Sequence, residues 1–420
     1  MEKERQLRGR VHADAVIVGG GLTGLTIAAL LSRTGLRVIV VEARELASGA
    51  TASCGGAVCL SDRLFFARLE RERGIAATNA VMQTRLSALR KLRELAADGA
   101  FEWHEERLYL YADAAEELES EAEAIRRAGA QVVFYPRGPV MAKAALEWKG
   151  QGGISVPQYL HFLEQEALEH RTDFHIHSRV RSLDADTVYT DRGSVRAPYI
   201  IVATGYPIVN TPGWFFLRLE QRERQIATLD RHVQGIHADA HGEWLFGGNQ
   251  LQLAGGYIGS KENEALRRKH RLAPALGCIE LGWKYGAEVC SADGLPFIGP
   301  YSPGTPNLFV ASGYGGQGIL GSVIAAQAIS ARILGLPSEG YEVYSPKRRW
   351  DWKLPAKEGM RYLRSALFRS SAPCCPHMGC RMIYRAEHRI WECPCHGSCF
   401  DDLGRVLSAP AVRDADARKR

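Results

Sequence analysis

Four residues near the C-terminal end have types and spacing that suit metal chemistry: Cys375, His377, Cys393 and His396. They read C-x-H, fifteen intervening residues, then C-x-x-H. Two thiolates and two imidazoles are carried on two short loops. Zinc takes such a set as the ligands of one ion. A [2Fe-2S] cluster takes it as two cysteinates on one iron and two histidines on the other. Each loop holds one more cysteine, Cys380 and Cys395, and Gly397-Ser398 follows His396. Zinc explains neither feature. The expected occupant is the cluster, with Cys375 and Cys393 on one iron and His377 and His396 on the other.

Cys375-Pro-His-Met-Gly-Cys380 and Cys393-Pro-Cys-His-Gly-Ser398 resemble the two boxes of Rieske proteins almost letter for letter. The resemblance implies a disulfide between Cys380 and Cys395 that clamps the loops over the cluster. It departs from the pattern in two ways. Phe400 stands where many high-potential members have a tyrosine that donates a hydrogen bond to a cysteine sulfur. Such bonds raise the potential, so Ser398 without the tyrosine implies a middling to low one. Only a short run precedes Cys375, so the strands that form the base of such a domain are expected to be largely missing.

A second constellation lies at the other end. Asp14-Ala-Val-Ile-Val18 is an apolar strand run, Gly19-Gly-Gly21-Leu22-Thr23-Gly24 follows, a helical stretch runs to about Arg33, and Arg37 to Val41 ends at Glu42. Strand, G-x-G-x-x-G, helix, strand and acid occur at the spacing of a dinucleotide-binding unit. Gly19 makes the turn, Gly21 lets the backbone approach a pyrophosphate at the helix N-terminus, Gly24 lets helix and strand pack, and Glu42 can accept ribose hydroxyls.

The loop after Glu42, Ala43-Arg44-Glu-Leu-Ala-Ser-Gly-Ala50-Thr51-Ala-Ser-Cys54-Gly-Gly56, resembles the G-A-S-x-x-x-x-G-G loop of the glycine oxidase / D-amino-acid oxidase (DAO) superfamily. There the loop wraps the FAD pyrophosphate and the flavin edge. The resemblance implies FAD contacts from Leu22, Thr23, Ala43, Arg44, Ala50 and Thr51. It also implies a backbone contact to adenine at Val180 and an approach to the phosphate-ribose part at Gly205. Asp293-Gly-Leu-Pro-Phe-Ile-Gly299 matches the D-G-x-P-x-I-G element and brings Asp293 into the set. Cys54 replaces the common asparagine. Residues 313–318 spell a second G-x-G-x-x-G, but the helix after it leads to Gly335-Leu-Pro337 with no strand and no acid. The better reading is a flavin-side turn whose helix N-terminus, Gly318-Ile319, points at the isoalloxazine and stabilises negative charge on reduced flavin.

These motifs need a frame. The expected fold is α/β: a two-domain FAD-binding Rossmann-type fold with an antiparallel-sheet substrate domain, plus a small all-β Rieske module. The oxidoreductase part is expected over 13–348, with FAD-binding parts at about 13–60, 150–208 and 290–340 and substrate parts at about 61–149 and 209–289. A basic, aromatic linker follows at 349–371, then a shortened Rieske domain at 372–415. Helices are expected over 62–97, as an amphipathic pair, and over 114–128, 158–170 and 319–334. Strands are expected over 101–111 and 175–180, with a hairpin of 187–190 and 194–198. The last ten residues are expected to be a disordered end.

A chain of 420 residues can bury two or three cores. Its net charge of +6 gives no nucleic-acid footprint. The start shows no signal-peptide h-region, and its apolar run is too short and glycine-punctuated to span a membrane; a cytoplasmic location is expected. Six of ten cysteines fall between 374 and 399, the clustering of a metal site rather than a disulfide framework. Cys54, Cys59, Cys278 and Cys290 read as small apolar packers.

Together the motifs suggest an FAD- and Rieske-containing oxidoreductase. It would oxidise a C–N bond of an amine or amino acid by hydride transfer to FAD and release electrons singly through the [2Fe-2S] cluster to a one-electron partner protein. Two alternatives are an electron-transfer or reductive biosynthetic component, and an oxygen-using amine oxidase with a structural metal module. Arg218, Arg222 and Arg224 are eligible to clamp a substrate carboxylate, Lys284 could sit near the flavin, and Tyr257 and His241 are candidate bases. No catalytic side chain is assigned, and the oligomeric state is left open.

Overall fold

The structure is a computed structural model that describes residues 6–61, 63–138, 144–208, 219–231, 233–240, 243–247, 252–258, 272–348, 372–386, 389–395, 397–408 and 410–416, with backbone alone at 220, 222–225, 247, 252–258 and 282–287. His396, Arg218, His241 and the linker 349–371 lie outside the described residues, as do the side chains of Arg222, Arg224, Tyr257 and Lys284.

The nucleotide motif lies on a six-stranded sheet in the order Phe297–Ser302, Thr305–Ser312, Tyr199–Val202, Ala15–Val18, Val38–Val41, Asp173–His175. All neighbours are parallel except the first pair. Its central strands, AVIV, VIVV and YIIV, are continuous β-branched runs, as a sheet covered on both faces requires. Helix α1, Leu22–Ser32, crosses from the first of these strands to the second, and a long helix near the end of this half, Gly318–Ile333, packs against it.

A second sheet carries most of the remaining strands of the oxidoreductase part. Its order is Glu280–Ser291, Leu219–Leu229, Gln252–Ile258, Trp244–Gly247, Ile236–Asp239, Trp103–Ala112, Ala144–Ile154, Ala57–Val58, with Val133–Tyr135 added on Ala144–Ile154. It is antiparallel throughout, apart from the parallel pair Ile236–Asp239 and Trp103–Ala112. Helices α2, Phe66–Ala97, and α3, Ala115–Arg127, pack together beside it. The expected helix pair over 62–97 is continuous except at Gly74, whose φ of 80° and ψ of 168° break it into two segments. The buried Glu121 of α3 accepts the amides of Phe65, Phe66 and Ala67 at 2.9, 2.8 and 2.8 Å and so caps α2 from outside. Helix α4, Val156–Glu169, packs on α1, the short α5 is Leu272–Ala275, and Gly318–Ile333 is α6.

The expected strand over 175–180 is corrected. The chain leaves the parallel sheet at His175, turns through a left-handed His177 (φ 51°), and begins a different strand at Val180–Leu183. That strand belongs to a four-stranded sheet ordered Gly9–His12, Gly193–Arg196, Thr187–Thr190, Val180–Leu183.

The metal module is a three-stranded sheet of Ile383–Arg385, Ile390–Glu392 and Cys399–Asp401. Its core is Cys375, Cys380, Met382, Cys393, Phe400, Val406, Ala411 and Ala415. The expected disordered end, 411–420, is therefore corrected over 411–416, and 417–420 lie outside the described residues. Ala411 and Ala415 are buried, the Ala411 amide donates to Ser398 Oγ (3.0 Å), and the Ala415 amide donates to the Gly404 carbonyl (2.7 Å).

Candidate cofactor sites

At the nucleotide site two glycines are dictated by close approach. Gly19 has φ of 110°, and a Cβ there would lie 2.6 Å from the Ala203 carbonyl oxygen. A Cβ on Gly24 would overlap the Gly19 carbonyl, so α1 can press onto its strand only with glycine. No side chain caps α1 at Gly21, and no acid stands in its first turn, which leaves its positive end available to an anion. The Leu22 amide donates to Thr51 Oγ1 at 3.0 Å, bringing the 43–51 loop to the helix start. Glu42 is fixed before any ribose arrives: Oε2 accepts the Gly20 amide (2.7 Å) and Oε1 the Arg44 amide (2.8 Å). The Glu42 carbonyl accepts the Ser178 amide (2.8 Å), which delivers the buried Val180 to the same corner. Gly205 follows the strand Tyr199–Val202, and its carbonyl accepts the Ser312 hydroxyl. Ala50 opens a short 3₁₀ turn, Ala50–Ser53, and Ala43 joins Glu42 to Arg44. The expected set, Asp293 apart, thus gathers on the C-terminal edge of the parallel sheet and its flanking loops.

At the other end, α6 begins at Gly318-Ile319 with no side-chain cap and no acid in its first turn. Among the described residues no strand follows α6 before the 3₁₀ turn Tyr341–Tyr344. The residues that shape this turn escaped the sequence reading. Arg63 Nη2 donates to the Gly315 carbonyl (2.5 Å), Gln317 Nε2 reaches Cys59 Sγ (3.6 Å), and the Val289 carbonyl accepts the Gly315 amide (3.1 Å). The Tyr314 ring lies against Gly321, and burial pushes its phenol well above the usual tyrosine range. Two buried polar atoms, Ser48 Oγ in the pyrophosphate loop and Gln317 Oε1 beside α6, have no hydrogen-bond partner among the described residues. Orphans of this kind, with two uncapped helix ends, fit a bound dinucleotide.

Asp293 is placed differently from the others. Arg348 grips its carboxylate at 2.8 Å through both Nε and Nη2, and Arg73 of α2 adds a bond at 2.7 Å. Burial alone would raise the carboxyl, but the Arg348 and Arg73 charges win and hold it far below the usual range. Arg348 also donates to the carbonyls of Leu295 (2.6 Å), Pro296 (3.0 Å) and Tyr344 (3.1 Å). The side chain of Asp293 is a structural lock, and Arg348, read from the sequence only as the end of the domain, is its centre.

The cluster loops are near copies of one turn. The Cys375 amide donates to the Cys380 carbonyl and the Gly379 amide to that of Cys375; the Cys393 amide donates to the Ser398 carbonyl and the Gly397 amide to that of Cys393, all at 2.8 Å. Cys375 and Cys393 are 1% exposed. The Sγ atoms of Cys380, Cys393 and Cys395 lie within 4.8 Å of one another. The close Cys393 sulfur and then burial push the Cys375 thiol up; Cys393 and Cys395, then burial, do so for Cys380. Crowded sulfurs of this kind are disfavoured as bare thiolates, and a soft cation or a disulfide relieves the crowding. Ser398 is fully buried and accepts the Ala411 amide, and its hydroxyl acts to lower the Cys375 thiol against the Cys393 sulfur and burial. Phe400 is fully buried in the module core and offers no hydroxyl.

A nucleotide cradle on a parallel sheet, an antiparallel sheet beside it, and a sulfur-lined module define a flavin-dependent redox protein with an iron–sulfur domain. The chain belongs to the DAO family of FAD-dependent oxidoreductases, whose profile matches residues 14–332, and it carries a Rieske [2Fe-2S] domain matched over 365–417. FAD and a [2Fe-2S] cluster are its cofactors. It is 23% identical to the Bacillus subtilis (strain 168) protein YhfW, described as a Rieske 2Fe-2S iron-sulfur protein, over 96% of this chain and 92% of the other. The ubiquinol-cytochrome c reductase iron-sulfur subunit of Rickettsia prowazekii (strain Madrid E) is 47% identical over 38 residues, 9% of this chain and 22% of that subunit. In fold, the chain is similar to glycine oxidase from Geobacillus kaustophilus (TM-score 0.65, 20% identity, 81% of this chain and 100% of that one). It is also similar to L-proline dehydrogenase from P. horikoshii (TM-score 0.68, 16% identity, 81% and 98%). No helix among the described residues is long and apolar enough to cross a membrane.

Proposed function

We propose that this chain oxidises a C–N bond of an amine or amino acid, with hydride transfer to FAD and single-electron exit through the [2Fe-2S] cluster. The observation that carries the reading is the Gly313–Gly318 turn. It opens into α6 without a cap or an acid, and Arg63 is bound to its Gly315 carbonyl. A positive helix end and a guanidinium favour the negative charge that flavin gains with a hydride. When bound, FAD supplies the two-electron step and the cluster the one-electron step.

The chain's own residues supply position. Glu42 and Arg44 hold the ribose end, the α1 N-terminus with Thr51 holds the pyrophosphate, and the α6 N-terminus faces the isoalloxazine. Cys375 and Cys393 ligate one iron, His377 and His396 the other, and a Cys380–Cys395 disulfide clamps the loops. The substrate carbon gives up its hydrogen with the electron pair, the nitrogen releases its proton to solvent, and an imine leaves. The two electrons then depart one at a time to an external one-electron acceptor protein. The domain division expected above, with 13–348 for substrate oxidation and 372–415 for electron exit, belongs to this reading.

Anaerobic addition of a panel of amines and amino acids tests it. Bleaching of the flavin absorbance followed by the EPR signal of a reduced cluster is the expected result. If no amine bleaches the flavin while an external reductase reduces it through the cluster, electrons run inward and the reading fails.

A further inference from the structure

The tail that the sequence reading left as a loose end is the joint between the two halves. Arg181, on the strand Val180–Leu183 of the flavin half, donates from Nη1 to the Val412 carbonyl at 2.6 Å, while its Nε and Nη2 hold Asp191 at 2.9 Å. Asp414 presents its charge to Arg181 and Arg179, and one of its carboxylate oxygens accepts the Val406 amide (3.0 Å). The tail is stitched to the second cluster loop through Ala411 and Ser398. It therefore ties that loop to the flavin half.

A second contact lies at the loop itself. Gly397, directly after His396, has φ of 72°, and a Cβ there would sit 2.6 Å from Cδ of Gln221. Gln221 belongs to the strand Leu219–Leu229, where its ladder partner is Val289. Val289 accepts the Gly315 amide, and Leu219 packs against Gly313. From the cluster loop to the flavin-side turn the chain of contact is Gly397, Gln221, Val289, Gly315.

We infer that the metal module is seated in cis on the flavin half by Arg181 on the tail and by Gln221 under Gly397, and that Gln221 is a positioning residue that fixes the second cluster loop against the strand pair carrying the flavin-side turn. Electrons then cross between the cofactors inside one chain. The inference rests on the proposed direction of flow only in calling this joint a route; the seating itself does not depend on which substrate reduces the flavin. No group that ligates metal or touches FAD is altered by changing Arg181 or Gln221, so both cofactors remain loaded in the variants.

The test uses the full-length holoprotein with its flavin reduced photochemically under anaerobic conditions, so that no amine is needed. Flavin-to-cluster transfer is followed by rapid-scan absorbance and freeze-quench EPR, and hydrogen exchange is measured over residues 389–416. In the Arg181→Ala/Gln221→Ala double variant, transfer is expected to slow at least tenfold and exchange of 389–416 to rise, with the flavin spectrum and the EPR line shape of the dithionite-reduced cluster retained. Gln221→Met, which keeps the packing under Gly397, is expected to restore the rate in the presence of Arg181. Unchanged transfer and unchanged exchange in the double variant overturn the inference. A wild-type transfer rate that rises in proportion to protein concentration also overturns it, because the acceptor cluster would then belong to another molecule. Failure of every amine to reduce the flavin would sink the proposed function and leave these readouts standing.

Discussion

At the scale of single residues, the buried hydroxyl of Ser398 is the main lever on the cluster. It accepts from the Ala411 amide and favours negative charge on the Cys375 sulfur, and Phe400 supplies no second donor. Losing a hydrogen bond to a charged acceptor disfavours the reduced, more negative cluster. Ser398→Ala should lower the midpoint potential by on the order of 50–100 mV, a bond of roughly 1–2 kcal/mol at 59 mV per tenfold for one electron. Redox titration followed by EPR reads this. A potential that stays put would show that the hydroxyl is not on the sulfur.

Asp293 carries a stability prediction. Its carboxyl is depressed in the folded chain, so its contribution is present above the ordinary aspartate range near pH 4 and is lost as pH falls through that range and below. Removing the carboxylate leaves the buried Arg348 and the half-buried Arg73 without it, at a cost of about 3–5 kcal/mol. Asp293→Ala should melt at lower temperature at pH 7, and its disadvantage against the parent should shrink as the pH is taken below 4. A constant gap across that window would assign the loss to packing.

These two residues mark the limit of reading a sequence at this scale. The close approach of Gly24 to the Gly19 carbonyl was legible because it follows from local spacing within one strand, turn and helix. Arg348 was not, because its carboxylate partner stands 55 residues earlier and nothing in the local pattern of Tyr344 to Arg348 announces a buried cation.

Among the elements, the long runs were the most legible. The helices over 114–128 and 158–170 and the strand over 101–111 fall within a few residues of their observed bounds, since periodicity over ten or more residues outweighs local noise. The strand expected over 175–180 failed because six apolar-alternating residues do not say which sheet they join; the left-handed His177 passes the chain from one sheet to another. The cap of α2 was also hidden. Glu121 looks like one more surface acid of a charged helix, yet it is 1% exposed, and three amides keep it in place. Glu121→Ala should cost roughly 1–3 kcal/mol by leaving buried amides unmet, and exchange should rise first at the start of α2. The nucleotide unit gives a sharper test. Gly24→Ala must push α1 off its strand, so FAD affinity should fall by at least about tenfold, or about 1.4 kcal/mol, in a fluorescence titration of the apoprotein. Unimpaired binding would mean that helix and strand have slack.

For the whole molecule, the unequal size of the two cores governs behaviour. The flavin half buries a continuous apolar core from Ala15 to Tyr344, whereas the module core has eight buried residues among those described, three of them cysteines. So small a unit depends on its metal and on its neighbour to stay folded. Removing iron under reducing conditions should unprotect residues 372–416 and leave the flavin half with its melting temperature within a few degrees, as followed by hydrogen exchange and calorimetry. A module that keeps its protection without iron would contradict this account. The fusion of two redox units was plain in the sequence, because each carries its own motif. Their joint was not, because Gln221, Arg181 and Val412 belong to no motif and meet only in three dimensions.

The meeting of an early strand and a late tail on one small sheet has a bearing on biosynthesis. Gly9–His12 pairs with Gly193–Arg196, the Leu7 amide donates to Ser178 Oγ, and Val412 lies on Arg181 from the other side. Translation therefore delivers the first strand of this corner some 400 residues before its last contact. The FAD fold can close early, while the iron-bearing loops emerge late onto a surface already formed. Cluster insertion then follows the closing of the flavin half, and a ribosome that stops before residue 375 releases a flavoprotein without its cluster.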